Sequence, residues 1–166
     1  MIDLDPRVLQ LIGDAGDHQQ EIAGGVRLFH GDSGLDVLRQ DDVFEVRPWG
    51  KGVTDEPDLT GAARSILETY LVLHYGNAWR LARGWPMLRL AERSEPLPPG
   101  FVFTAEQGHR GNLVIEGPPR RVLGRLLPGT ARRLARALTV PLGDLIASFR
   151  DPDGLPAFGP RPGGPQ

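Results

Sequence analysis

A chain of 166 residues with 40% hydrophobic and 24% charged side chains has the make-up of one soluble globular domain able to bury a real core. It holds no cysteine, which excludes disulfides and thiolate metal sites and fits a reducing cytoplasm. No run of about 18 apolar residues is present, which excludes a transmembrane helix, and the opening MIDLDPRVLQ lacks the order of a secretory signal.

The net charge of −2 conceals a split: residues 1–58 carry a balance of −8 and residues 59–166 one of +6. Such a bipolar chain either neutralises itself on folding or presents an acidic face that steers a basic partner.

Asp5-Pro6 opens a short helix, an N-cap followed by proline at the first helical position. Val8, Leu9, Leu11 and Ile12 give it a broad apolar face, and Gly13 or Gly16 ends it. From Glu21 to Trp49 the pattern changes to short strands. Val26 to Phe29 runs into the turn cluster His30-Gly31-Asp32-Ser33-Gly34, and Leu35 to Arg39 reads as the next strand. Phe44 and Val46 then alternate with Glu45 and Arg47, the mark of a half-buried strand in an antiparallel meander. Thr60 is the expected start of the longest helix, with Leu67, Tyr70, Leu71, His74, Ala78 and Leu81 at helical spacing. Gly76-Asn77 predicts a kink or break within it, and Gly84 with Pro86 closes it.

The stiff connector EPLPPG, residues 95–100, leads to strands at Phe101 to Thr104 and Leu113 to Glu116, joined by a turn over Glu106 to Gly111. Helices over Gly129 to Leu138 and Pro141 to Phe149 follow. The tail from Gly159 is too rich in Gly and Pro to bury anything and is expected to be disordered. The expectation is a single α+β domain over residues 1–158. It has a central antiparallel sheet of short strands, one long helix and smaller terminal helices.

Candidate chemistry is sparse. His18, His30, His74 and His109 show no metal-ligand spacing, and His74 reads as a semi-buried, hydrogen-bonded residue on the long helix. Asp151-Pro-Asp-Gly154 begins like a calcium loop, but Leu155 and Pro162 stand where oxygen donors would be needed, so a turn is expected. Asp14, Asp17 and Glu21 are paired carboxylates without a companion pocket motif. No glycine-rich phosphate loop or nucleophile elbow occurs. The expectation is a protein that is not an enzyme and needs no cofactor or metal.

Arg132 to Phe149, RRLARALTVPLGDLIASF, is similar to part of a helix-turn-helix repressor, and six nearby arginines make DNA binding the alternative function. Against it, the second helix offers only Asp144 and Ser148 as polar side chains, too few to read base edges. Nucleic acid is therefore an unlikely partner.

Two segments carry a resemblance. Tyr70-Leu71, Gly76, Arg80, Arg83-Gly84 and Pro86 form one pattern, and Ser148-Phe149, Asp151-Pro152, Gly154, Pro156 and Phe158 form an SFxDPxGxPxF ending. Both resemble the immunity-protein family that neutralises NAD⁺-glycohydrolase toxins of the tuberculosis-necrotizing-toxin type. The resemblance implies a cytoplasmic antidote that binds a cognate toxin's catalytic domain, as a 1:1 complex, and denies it NAD⁺. The signature residues themselves read as scaffold. The toxin-facing surface is expected on the acidic loops of the first half. There Asp32, Asp36, Asp41 and Asp42 supply charge, and Trp49, in the loop after the Phe44 strand, is the aromatic anchor. Trp85 is the second choice.

Overall fold

The structure is a computed structural model that describes residues 2–50, 53–54, 56–90, 95–105, 110–116 and 120–158. α1 (Pro6–Asp14) starts as its sequence requires: the Asp5 carboxylate accepts the Arg7 backbone N–H at 2.8 Å, with Pro6 beside it. Val8, Leu11 and Ile12 form its buried face.

Four strands follow as an antiparallel meander: β1 (His18–Ile22), β2 (Gly25–His30), β3 (Ser33–Gln40) and β4 (Val43–Gly50). β5 (Val53–Thr54) pairs with the end of β4. β6 (Leu59–Ala62) lies where the long helix is expected to begin, so that helix, α2 (Arg64–Ala82), starts at Arg64 and not at Thr60. The reason is burial. Leu59 and Ala62 pair with Val46 and Phe44 of β4 across a register shift, and with the left-handed Gly61 (φ 69°) between them both are fully buried although they are three residues apart.

After α2 come β7 (Phe101–Ala105), β8 (Gly111–Ile115) and β9 (Arg121–Leu126), a second antiparallel meander. β9 pairs with β6 through Leu59↔Leu126 and Thr60↔Arg125. One sheet of nine strands results, in the order β1-β2-β3-β4-β6-β9-β8-β7 with β5 beside β4. The short β6 is the seam between its two halves.

α2 runs unbroken through Gly76 and Asn77, contrary to the expected kink. A side chain at Gly76 would place its Cβ 2.5 and 2.6 Å from Cδ1 and Cδ2 of Phe149, so the glycine provides room for that ring. Asn77 holds the segment after the helix, donating to the Leu88 carbonyl at 3.3 Å and accepting from its N–H at 2.9 Å.

α3 (Pro128–Ala137) lies against α2 and the sheet at β7 and β8, whereas α4 (Leu142–Arg150) packs on α2 and α1. Val26, Leu28, Leu35, Val37, Val46, Leu113 and Leu126 join the helices in one core with Leu67, Leu71, Leu134 and Phe149. The architecture is α+β, with a twisted antiparallel sheet backed by four helices. The segment from Gly159 lies outside the described residues.

The two signature segments meet at Arg80. Its side chain is fully buried and donates to four backbone carbonyls: Pro86 at 2.7 Å, Phe149 at 3.3 Å, Asp151 at 2.5 Å and Pro152 at 2.8 Å. Phe149 is in the last turn of α4, whose final carbonyls have no helical donor, so the guanidinium also compensates that helix end. Asp151 turns its carboxylate inward to the N–H groups of Asp153 and Leu155, at 2.9 and 3.1 Å. That is the expected turn and not a cation loop. Ser148 Oγ accepts the Ala157 N–H at 2.8 Å, and Phe158 packs on Phe149.

Candidate interaction surface

Side chains alternate across a strand, so the residues between the core positions of β1–β4 share the opposite face. The registers arrange that face in rows. One row runs His18, Phe29, Gly34, Trp49; the next runs Gln20, Arg27, Asp36, Arg47. In the first row the His18 and Phe29 rings lie 5.7 Å apart, and Trp49 faces Gly34, where no side chain competes for the space.

The second row is paired charge. Arg27 Nε and Nη2 donate to Asp36 Oδ1 and Oδ2 at 2.7 and 2.8 Å, a bidentate fork. The hydrogen bond to Asp36 holds the Arg27 guanidinium above its ordinary pKa. The same guanidinium lies 4.3 Å from the centre of the Trp49 ring. Arg47 pairs with Glu45 on its own strand. Trp49 Nε1 is buried without an acceptor among the described residues.

These contacts redistribute the residues expected to meet a partner. Trp49 belongs to β4 itself and not to a following loop. Asp36 is buried at 6% exposure and committed to Arg27, so it is not a free charge. Asp32 is exposed in the β2–β3 turn, at the Trp49 end of the sheet. Asp41 and Asp42 are exposed in the β3–β4 turn, and the eight residues of β3 put that turn about 26 Å from Asp32. Asp42 has Arg39 at 3.7 Å, and Asp41 takes a left-handed φ of 55°. Beside them is an open cavity of about 600 Å³ walled by Ile2, Ile22, Arg39 and Asp41. The structure thus brings Asp32, Asp36 and Trp49 to one region and leaves Asp41 and Asp42 at the far end. Arg27, which organises the first group, carries no sequence signal beyond its alternation with Val26 and Leu28.

Trp85 is away from this face. Its ring lies edge-on to Trp79 at 5.5 Å and 5.4 Å from the Arg80 guanidinium, within the signature clamp. The acidic and basic halves of the chain do meet in part: Asp3 pairs with Arg64 at 2.9 Å, Asp14 with Arg150 at 2.9 Å and Glu56 with Arg110 at 3.5 Å. Asp14 is thereby taken from the carboxylate set Asp14, Asp17 and Glu21.

A titratable cluster lies at Tyr70 on the helical side. Tyr70 donates to Asp58 Oδ2 at 3.1 Å beside a cavity of about 110 Å³ that His74 and Arg133 also line. Burial raises the Tyr70 pKa. His74 is exposed by surface area and not semi-buried, nearly parallel to the Tyr70 ring at 6.5 Å and edge-on to Tyr75 at 4.9 Å, and desolvation by the surrounding protein lowers its pKa. No group of His, Cys, Asp or Glu among the described residues could hold a metal; His109 lies outside them.

The DNA-binding alternative finds no support. α4 buries Leu145, Ile146, Ser148 and Phe149, and the exposed side chains it offers are Asp144 and Ala147. Two short side chains are too few to read a run of base edges. No described helix is long and apolar enough to cross a membrane.

The fold and its surface define an α+β protein whose described helices leave one face of the β1–β4 meander uncovered, with its charges paired in place. Residues 18–157 match the profile of Immunity protein 61. The chain belongs to the Immunity protein 61 family. No curated protein matches it. Among solved structures, Rv3902c from M. tuberculosis shares the fold at a TM-score of 0.83 and 20% identity, covering 95% of each chain.

Proposed function

We propose that this protein is the antidote to an NAD⁺-glycohydrolase toxin of the tuberculosis-necrotizing-toxin type. It binds the toxin's catalytic domain one to one in the cytoplasm and covers the NAD⁺ site. Membership of the Immunity protein 61 family over residues 18–157 carries the antitoxin part of this reading. The two signature segments support it, because Arg80 and the Gly76–Phe149 contact give each of them a structural task.

Inhibition by occlusion needs a fast, tight complex and no turnover. The exposed aspartates Asp32, Asp41 and Asp42 supply long-range steering, and Trp49, braced by Asp36 through Arg27, supplies a rigid aromatic contact. NAD⁺ hydrolysis by the toxin domain encoded beside this gene, titrated with the purified protein, tests the reading. Complete inhibition at one equivalent is expected. Full activity at excess, with no complex on size-exclusion chromatography, would overturn it.

A further inference from the structure

The Asp36 carboxylate leaves part of Arg27 unused. Nε and Nη2 carry the fork, while Nη1 makes no hydrogen bond among the described residues. The side chain is 32% exposed, on a sheet face that the helices do not cover, and it is already immobilised by the fork and by the Trp49 ring. A guanidinium ordered before binding loses little entropy on contact. Arg and Trp packed together are also the side chains most enriched among residues that dominate binding energy. Trp49 Nε1 beside it is buried and offers nothing to the surface, so Arg27 Nη1 is the donor left over. An ordered, partly exposed guanidinium with a donor left over is complementary to an acceptor.

We infer that Arg27 is the residue of this protein that touches the toxin, through Nη1, and that the toxin presents a carboxylate to it beside an apolar side chain laid on Trp49 and Phe29. Asp36 does not meet the toxin. It is a positioning residue that holds the fork, and its charge is spent inside the protein. The inference rests on the toxin-binding reading above and reverses the sign of its central contact: acidic turns at the rim, a cation at the centre.

The test is a double-mutant cycle on binding of the full chain to the purified toxin catalytic domain. Arg27→Ala raises Kd about tenfold or more, chiefly through faster dissociation, and Arg27→Lys does not restore it because an ammonium neither forks nor stacks. Asp36→Ala weakens binding in the wild-type background and adds nothing in the Arg27→Ala background. Thermal melts accompany each variant, and Arg27→Gln replaces any that fails to fold. Unchanged or tighter binding by the Arg27 variants, or an Asp36 effect that persists without Arg27, overturns the inference while wild-type inhibition leaves the toxin-binding reading intact. Loss of wild-type binding overturns both.

Discussion

Gly76 and Phe149 are joined by the absence of one carbon atom. The ring of Phe149, from α4, occupies the space where a Cβ of residue 76 in α2 would stand, 2.5 Å from Cδ1 and 2.6 Å from Cδ2. A glycine that costs α2 helix propensity therefore sets how closely the two helices approach.

Gly76→Ala gains propensity but overpacks this contact. The expected net effect is destabilisation of about 1–3 kcal/mol. Urea denaturation checks it, and a variant as stable as the parent would mean that α4 can shift away freely.

Arg80→Lys replaces the planar guanidinium by an ammonium with three donors and leaves at least one of the four bound carbonyls without one. With about 1–3 kcal/mol for a buried polar group left unmatched, a loss of that size is expected. The loss appears as a lower unfolding midpoint. Because Arg80 lies within the clamp and away from the open sheet face, the affinity of the folded fraction for toxin stays unchanged.

Asp41→Lys with Asp42→Lys reverses charge at one end of the sheet, and Asp32→Lys does so at the other. If both turns steer the toxin, each change slows association and weakens its dependence on ionic strength, with dissociation little altered. Stopped-flow association at several salt concentrations separates the ends. An unchanged rate for one variant removes that turn from the approach path.

Asp5 links stability to pH. Its hydrogen bonds from Arg7 hold its carboxyl below the usual carboxylate pKa. A group depressed in the folded state contributes stability above its unfolded pKa, near 3.9, and loses it as pH falls through the lower folded value. The Asp5→Ala variant should be less stable by about 1 kcal/mol at pH 7 and converge on the parent in strong acid. Thermal melts between pH 7 and pH 2 follow the difference, and a constant gap would assign the effect to packing.

Much of the fold was legible because it rests on local signals. The Asp5-Pro6 cap, the turn at His30–Gly34 and the α3 and α4 spans all follow from neighbours in sequence. On α2, by contrast, the expected face holds only for Leu67, Tyr70 and Leu71: His74, Ala78 and Leu81 are exposed, and Tyr75, Trp79 and Arg80 are buried instead. The strands that escaped notice lack that signal. β1, HQQEI, is polar except for Ile22, and β9 carries Gly124 at its centre against Leu59, so each is a strand only because a partner strand pairs with it. β6, LTGA, is only four residues long and shows no alternation, so Thr60 reads as the start of the long helix.

The surface was legible in composition and not in arrangement. An aspartate at position 36 looks like any other acidic residue of the first half. Its commitment to Arg27 depends on the β2–β3 register, which pairs residues nine apart. Trp49 likewise becomes part of a platform only when β4 brings it opposite Gly34.

The sequence by itself determined the α+β class, the helix caps, the absence of disulfides and the two signatures of the family, since each is written in composition or in short-range spacing. Only the tertiary structure decided that Arg80 ties those signatures together, that Asp36 is spent and Arg27 is not, and that the acidic turns lie at opposite ends of a strand. Charge has no address until strand register assigns it a neighbour.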